Sequence, residues 1–503
     1  MAIRMSGMIS GLDTDAIIKD LMKAQSDKKT KLEQTKEKLG WKKEKWEEMN
    51  TKVYALYTEK LSSLKLQGTY LAKKAVSSDE TKAKVSATNT SSGSYKLQID
   101  ELASAEYVTG KDIKDKGYKA DTKLADTGMT VGQKITIKTG RDQDKSFELE
   151  VTEDTKISDL VNKFKEAGLN ASFDSVNGRF FIGAQDSGSD SLFTFSSDAA
   201  SGAGLENLGL TNVTEEMAKT GATATDTDQI AIVAAKDSRI TLNGAVLTSS
   251  KNSIEANGMT IELLGVTSGA VNITVNNDVD TVYDKVKEFV NSYNELLTDM
   301  YEKYNADSAK GYNMLTDDEK EAMSEEQVEL WENKIKDSLL RRDDTLNSLM
   351  SAFRSAMQES VEVDGKKYSL SSFGIGTGEY TEHGLLHING NADDSMYADK
   401  TDSLKAALTE NPEVVSKALS GIMSKFYSTL SDKMSASSIS SALTLYNDKQ
   451  IQSQMNDYET QIKKWDTRLQ DIEDRYYKQF SAMEKSLADL QSKQSQLSGM
   501  FGM

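Results

Sequence analysis

His383 and His387 are the only histidines in the chain, four residues apart in Glu382-His-Gly-Leu-Leu-His387. On a helix that spacing would turn both imidazoles toward one zinc ion. Gly384, Gly390 and Asn391 instead favour a turn or an extended segment, and the HExxH order is absent, so no metal ligand is assigned. With no cysteine at all, disulfides, thiolate nucleophiles and Cys-ligated zinc or iron–sulfur centres are removed together. A Ser/His/Asp or Cys/His catalytic set then has almost no candidates. Phe373-Gly-Ile-Gly-Thr-Gly378 is glycine-rich, but its spacing is GxGxG and no P-loop Lys-Ser/Thr follows, so it reads as a turn. Asp186-Ser-Gly-Ser-Asp190 opens like a calcium loop, yet the twelfth position is Ser197 where a bidentate Glu is required. Carboxylates are too abundant for spacing to single out the acid/base pair of a glycosidase. No catalytic, cofactor or metal residue is assigned, and the expectation is a protein that is not an enzyme and binds no cofactor.

Composition narrows the remaining classes. The 503 residues carry 61 Lys and Arg against 79 Asp and Glu, a formal charge of −18. Phosphate affinity comes from basic side chains that release counterions, so nucleic acid is not an expected partner. Trp41-Lys-Lys-Glu-Lys-Trp46, which interleaves basic and aromatic residues, is explained by a helix with Trp46 inward and its lysines in solvent. Apolar residues make up 37 % of the chain, the pattern of helices with much exposed circumference. No run approaches the ~20 apolar residues of a membrane span, and MAIRMSGMISG lacks the apolar stretch of a secretory signal. The single proline, Pro412, leaves long helices uninterrupted.

The elements follow from periodicity. Asp13 to Gln67 reads as one long helix, capped by Asp13 or Thr14, with Ile17, Ile18, Leu21 and Met22 opening its apolar stripe. Leu32, Leu39, Trp46 and Val53 then recur every seven residues, with Met49 and Leu56 completing the alternate positions and Thr35 and Lys42 weakening them. At the other end Ile451, Met455, Tyr458, Ile462, Trp465, Leu469, Ile472 and Tyr476 alternate by four and three, a coiled-coil seam. It continues as Phe480, Met483, Leu487 and Leu490, with a stutter at Tyr476 and Gln494 in a further seam position.

Between these ends the period changes to two. Tyr95, Leu97, Ile99; Ile135, Ile137; Phe147, Leu149, Val151; and Val271, Ile273, Val275 read as strands. Asn243-Gly244 and Asn177-Gly178 mark hairpins, and a helix is predicted over Ile157 to Gly168. The stretches Ser201 to Gly209 and Thr220 to Asp228 read as connectors. Helix returns near Thr281, then over Ser324 to Lys336 and Asp343 to Met357, and Asn411 is placed to cap a helix starting at Pro412. The expected fold is α+β and multidomain. A long antiparallel coiled-coil or helical-bundle leg comes from both termini, with β-rich head domains inserted between them. Its predicted parts are a leg (1–42 with 440–503), a helical bundle (43–75 with 281–439), a β-rich head (76–112 with 229–280) and an inserted α+β outer head (113–228).

The opening Ser6-Gly-Met-Ile-Ser-Gly-Leu-Asp-Thr-Asp-Ala-Ile-Ile-Lys-Asp-Leu-Met22, centred on Ser10, Gly11, Leu12, Asp13, Thr14 and Asp15, closely resembles that of the bacterial flagellar filament-capping proteins. The likeness recurs at Phe289 to Leu297, Ser369 to Ile375, Leu404 to Val414, and Arg475-Tyr-Tyr-Lys-Gln-Phe480 through Met483 and Leu487. The middle adds Leu242-Asn-Gly244, Asn252 and Gly258 to Leu263, and 111–228 is least like the family. The resemblance implies a structural cap at the distal tip of the flagellar filament. Such a cap is a homo-oligomeric ring, exported without a cleaved signal peptide, that retains flagellin and promotes its folding and polymerisation. Implied partners are a second copy of the chain, flagellin, the hook–filament junction proteins and an export chaperone before secretion. The residues alone leave a rival open: an extracellular adhesin or coiled-coil scaffold with a β-rich binding head.

Overall fold

The computed structural model describes residues 11–140, 143–198 and 203–500. The chain divides into two compact units: one carries both ends, up to Tyr70 and from Val279, and the other is Leu71–Asp278.

In the first unit the N-terminal helix runs from Thr14 to Ala55, passes through a π-helical turn at Leu56–Leu61 and ends at Ser62–Leu64. The single helix expected to reach Gln67 is thus interrupted in hydrogen-bond register, and a separate turn of helix covers Gln67–Tyr70. Three further helices, Val279–Tyr304, Asp344–Met357 and Pro412–Lys433, form a bundle whose centre is aromatic. Phe289, Tyr293, Phe353 and Phe426 are buried there, with ring centroids 5.0 to 6.5 Å apart. Pro412 takes the first helical position, where its missing N–H costs nothing. Asn411 precedes it without the side-chain cap expected of it, and its backbone N–H donates to the Ala407 carbonyl at 2.8 Å, closing the helix before. The helix Glu325–Asp337 starts at a Ser324/Gln327 capping box, and Asp343 caps the helix after it through the N–H groups of Thr345 and Leu346. The last helix, Asp448–Met500, extends over 53 residues.

The second unit holds two β-rich cores. In one, a five-stranded sheet orders Lys73–Ser77, Val271–Asn277, Gly93–Glu101, Ser238–Leu242 and Ala245–Ser249. It shares a core with a three-stranded sheet of Ser253–Ala256, Met259–Leu263 and Ala83–Ala87. Asn243 and Gly244, both at positive φ, form the expected two-residue hairpin between Leu242 and Ala245. In the other core, a four-stranded and a three-stranded sheet enclose the helix Ile157–Glu166, whose Leu160, Val161 and Phe164 are buried. Gly178, at φ +60°, turns the chain back from Asp174 to Arg179, as its pairing with Asn177 predicts.

One expected connector is not one. Within the described part of Ser201 to Gly209 lies a helix, Ala203–Asn207, and Leu205, Leu208 and Leu210 are all buried in this core. Its glycines allow close approach, and its leucines do the packing.

Candidate functional site: the paired terminal helices

The two ends of the chain, far apart in sequence, lie against each other along the first unit. Lys29 pairs with Asp466 at 2.6 Å and Lys36 with Glu459 at 3.3 Å. Asn50 accepts from the Leu445 N–H at 2.9 Å and donates to the Leu443 carbonyl at 3.2 Å. Trp46 stacks on Tyr446 at 5.8 Å between centroids. The second partner's number falls as the first's rises, so the pair is antiparallel, over about 30 Å from Lys29 to Asn50 at 1.5 Å per residue. The hydrogen bond to Asp466 holds the Lys29 ammonium above its ordinary pKa, and bonds to Lys463 and Lys36 hold Glu459 below its own. Both shifts favour the charged forms of Lys29 and Glu459.

The two segments that carry the terminal resemblance meet. Asp13 caps the first helix, its Oδ1 accepting from the Ala16 N–H at 2.9 Å. Thr14 is buried, and Asp15 accepts a hydrogen bond from the Tyr477 hydroxyl at 3.0 Å. Gly11 is at φ +69°, Leu12 is largely exposed, and Ser10 lies outside the described residues. Changing Asp13 to alanine removes the cap and is expected to cost about 1 kcal/mol of helix stability. Circular dichroism melting should show it, and an unchanged melt would mean that the cap contributes nothing.

The seam residues separate by depth. Trp46, Met49, Val53, Ile451 and Ile472 are buried, while Leu32, Leu39, Met455, Tyr458, Ile462, Trp465, Leu469, Tyr476, Phe480 and Leu487 are half-buried. Met483 and Leu490 are exposed, so the intramolecular seam does not extend to them as expected. The reason is register. The inward position after Phe480 is Glu484, which is 3 % exposed, followed by half-buried Leu487, so Met483 falls one residue off that side.

The interruptions also resolve individually. Lys42 is not a defect in the seam: its ammonium lies 2.9 Å from the Asp343 carboxylate that caps the helix Asp344–Met357. Thr35 is exposed, its hydroxyl donating to the Lys31 carbonyl at 2.6 Å, and Gln494 is exposed as well. Thr35 and Leu39 line one wall of a groove of ≈ 570 Å³, and Asp457 and Tyr458 of the last helix line the other.

Sequence reasoning missed a third strip along this pair. The segment after Tyr304 runs beside the first helix: Asp318 pairs with Lys23, Gln34 donates to the Met314 carbonyl at 2.9 Å, and the Lys336 ammonium lies 4.4 Å over the Trp41 ring. Its amphipathic helix was legible, but periodicity does not name a docking partner. The histidines take separate roles. His383 stacks on Tyr301 at 3.8 Å, and His387 lies between Asp394 at 2.6 Å and Glu382 at 2.9 Å. Among the described residues no group of three or more His, Cys, Asp or Glu side chains is placed to hold a metal ion.

Comparison with known proteins fits this arrangement of termini. The family model described as Flagellar hook-associated protein 2 C-terminus matches residues 235–492, and that of the N-terminus matches residues 10–106. The chain belongs to the flagellar hook-associated protein 2 family. Members of this family similar to it include that of Halalkalibacterium halodurans, 25 % identical over 99 % of this chain and 100 % of the relative. Another is from Thermotoga maritima, 26 % identical over 72 % of this chain and 55 % of the relative. In fold, the chain resembles a crystal structure of the flagellar cap protein FliD D1-D2-D3 domains from Escherichia coli. The TM-score is 0.50 at 20 % identity, over 77 % of this chain and 96 % of that one. No described helix is long and apolar enough to cross a membrane.

Proposed function

We propose that this hook-associated protein 2 family member is a structural, non-enzymatic cap at the distal end of the flagellar filament, where it retains exported flagellin and promotes its folding and polymerisation. The observation that carries the reading is the joining of the two motif-bearing ends through Asp15 and Tyr477 into one antiparallel pair, within a chain that belongs to this family. A homo-oligomeric ring, contact with the hook–filament junction proteins, an export chaperone and secretion without a cleaved signal belong to the same proposal. So does the division into leg, bundle, head and outer head at the boundaries predicted above.

Removing the protein from its bacterium is expected to abolish filaments and release flagellin into the medium, with the full chain restoring both. Filaments of normal number and length without it would sink the reading, and a loss confined to surface attachment would favour an adhesin instead.

A sharper test uses Thr35 and Gln494. Both interrupt the apolar seams, and both are exposed in this chain. The double variant Thr35→Leu, Gln494→Leu should therefore melt within a degree or two of the parent and still slow filament elongation, because the new apolar surface acts only on neighbouring molecules. Elongation at the parental rate would place these positions outside the assembly contacts.

A further inference from the structure

The two cores of the second unit are joined by two crossing segments. One leaves the first core after Glu101 and enters the second at Tyr107; the other returns between Val233 and Ser238. They run side by side, the Ser104 N–H donating to the Lys236 carbonyl at 2.9 Å and the Lys236 N–H to the Ser104 carbonyl at 3.0 Å. Asn252 of the first core clamps Ala103, accepting from its N–H at 2.7 Å and donating to its carbonyl at 2.9 Å. From the second core, the loop after Ala184 closes over this crossing. The Gly188 N–H donates to the Ser104 carbonyl at 3.2 Å, the Ser189 N–H and hydroxyl to the Asp237 carboxylate at 2.7 and 3.0 Å, and the Ser187 hydroxyl to the Ser250 carbonyl at 2.6 Å.

Glu106 lies beneath that loop with 0 % of its surface exposed. Its Oε2 accepts from the Phe193 N–H at 2.6 Å, and its Oε1 has no hydrogen-bond partner. A carboxylate held this way has one donor where water would supply several, so its charged form is strongly disfavoured while the loop stays shut.

We propose that Glu106 is a proton-operated latch: as a neutral acid it lets the 185–193 loop close on the crossing segments, and its ionisation opens that loop and frees one core to move against the other. Burial pushes the Glu106 carboxyl up to about 8, against the opposing pull of the Phe193 N–H, and no neighbouring charge contributes. The charged groups on the surrounding elements are engaged elsewhere or face water. Lys236 pairs with Glu101 at 2.7 Å, Asp237 is held by Ser189, and Asp186 and Asp190 are exposed on the loop. Because the closed form holds its proton more tightly than an open one, closure is favoured most below the ordinary carboxylate pKa. The advantage is lost as pH rises through about 8.

Hydrogen–deuterium exchange of the full chain at pH 6.5 and pH 9, corrected for the intrinsic rate, tests this. Peptides covering 102–108 and 185–193 should lose about thirtyfold in protection between the two in the parent, about tenfold for each pH unit from 6.5 up to the carboxyl's titration near 8. In Glu106→Gln they should not, and peptides of the two cores should stay protected in both. Equal protection of the parent at the two pH values, the same loss in the Gln variant, or both cores loosening together would each overturn the proposal. A pH series on the parent alone covers the case in which the variant does not fold: a midpoint between pH 7 and 9 supports the latch, and one below 6 refutes it.

Discussion

Replacing Phe426 with alanine should lower the stability of the first unit by about 3–5 kcal/mol, the range for truncating a fully buried phenylalanine. Phe426 is 0 % exposed and meets three other rings, Phe353 edge-on at 5.0 Å and Phe289 and Tyr293 at 6.4 and 6.5 Å. Those rings come from two different helices, so removing the fourth opens a cavity that no single rotamer change can fill. For a unit of this size the melting midpoint should fall by about 5–8 °C. All four tryptophans, Trp41, Trp46, Trp331 and Trp465, belong to this unit, so their fluorescence follows its unfolding without a signal from the other. Phe426→Leu, which keeps most of the volume, should cost less than about 1.5 kcal/mol. A drop under 3 °C for the alanine variant would mean that the bundle is held from somewhere other than this hub.

The aromatic stripe of Val279–Tyr304 was readable as a helix face because Val282, Val286, Phe289, Val290, Tyr293, Leu296 and Leu297 repeat at helical spacing, and all are buried. That Phe426 and Phe353 would close over it was not readable, since a period fixes a face and leaves its partner open. The same holds for the terminal pair. Both seams were visible, as was the likeness carried by Asp13 to Asp15 and by Arg475 to Phe480. The register that sets Asp15 on Tyr477, and the choice of Glu484 over Met483 as the inward position, depend on long-range packing. Glu106 gave no signal at all: a lone glutamate between the short Leu102-Ala-Ser-Ala105 link and a short strand looks like surface, and its burial comes from a loop some eighty residues later.

The π-helical turn shows a signal that was present and passed over. Met49, Val53, Leu56, Leu61 and Leu64 are the buried positions at the end of the first helix, and their steps run four, three, five, three. A five-residue step is one more than an α-helix can keep in phase, and a turn closed by i→i+5 hydrogen bonds absorbs it. In an uninterrupted helix Lys60 would occupy the inward position. Instead Leu61 is buried, and the Lys60 ammonium reaches Glu288 at 2.8 Å.

Deleting one residue inside the turn should therefore be tolerated, and deleting one before it should not. Thr58 and Thr51 make a matched pair, both exposed and both bonded through the hydroxyl to the carbonyl four residues back at 2.9 Å. Without Thr58 the five-step becomes four, Leu61 and Leu64 stay in phase as a plain α-helix, and the cost should stay near 1 kcal/mol. Without Thr51 every later position turns by about 100° around the axis. Val53, Leu56, Leu61 and Leu64 then leave the core together, and the unit should lose well over 4 kcal/mol or fail to fold. Tryptophan fluorescence against denaturant compares the two directly. If both deletions cost the same, the turn is not a register adapter and the spacing of these leucines has another cause.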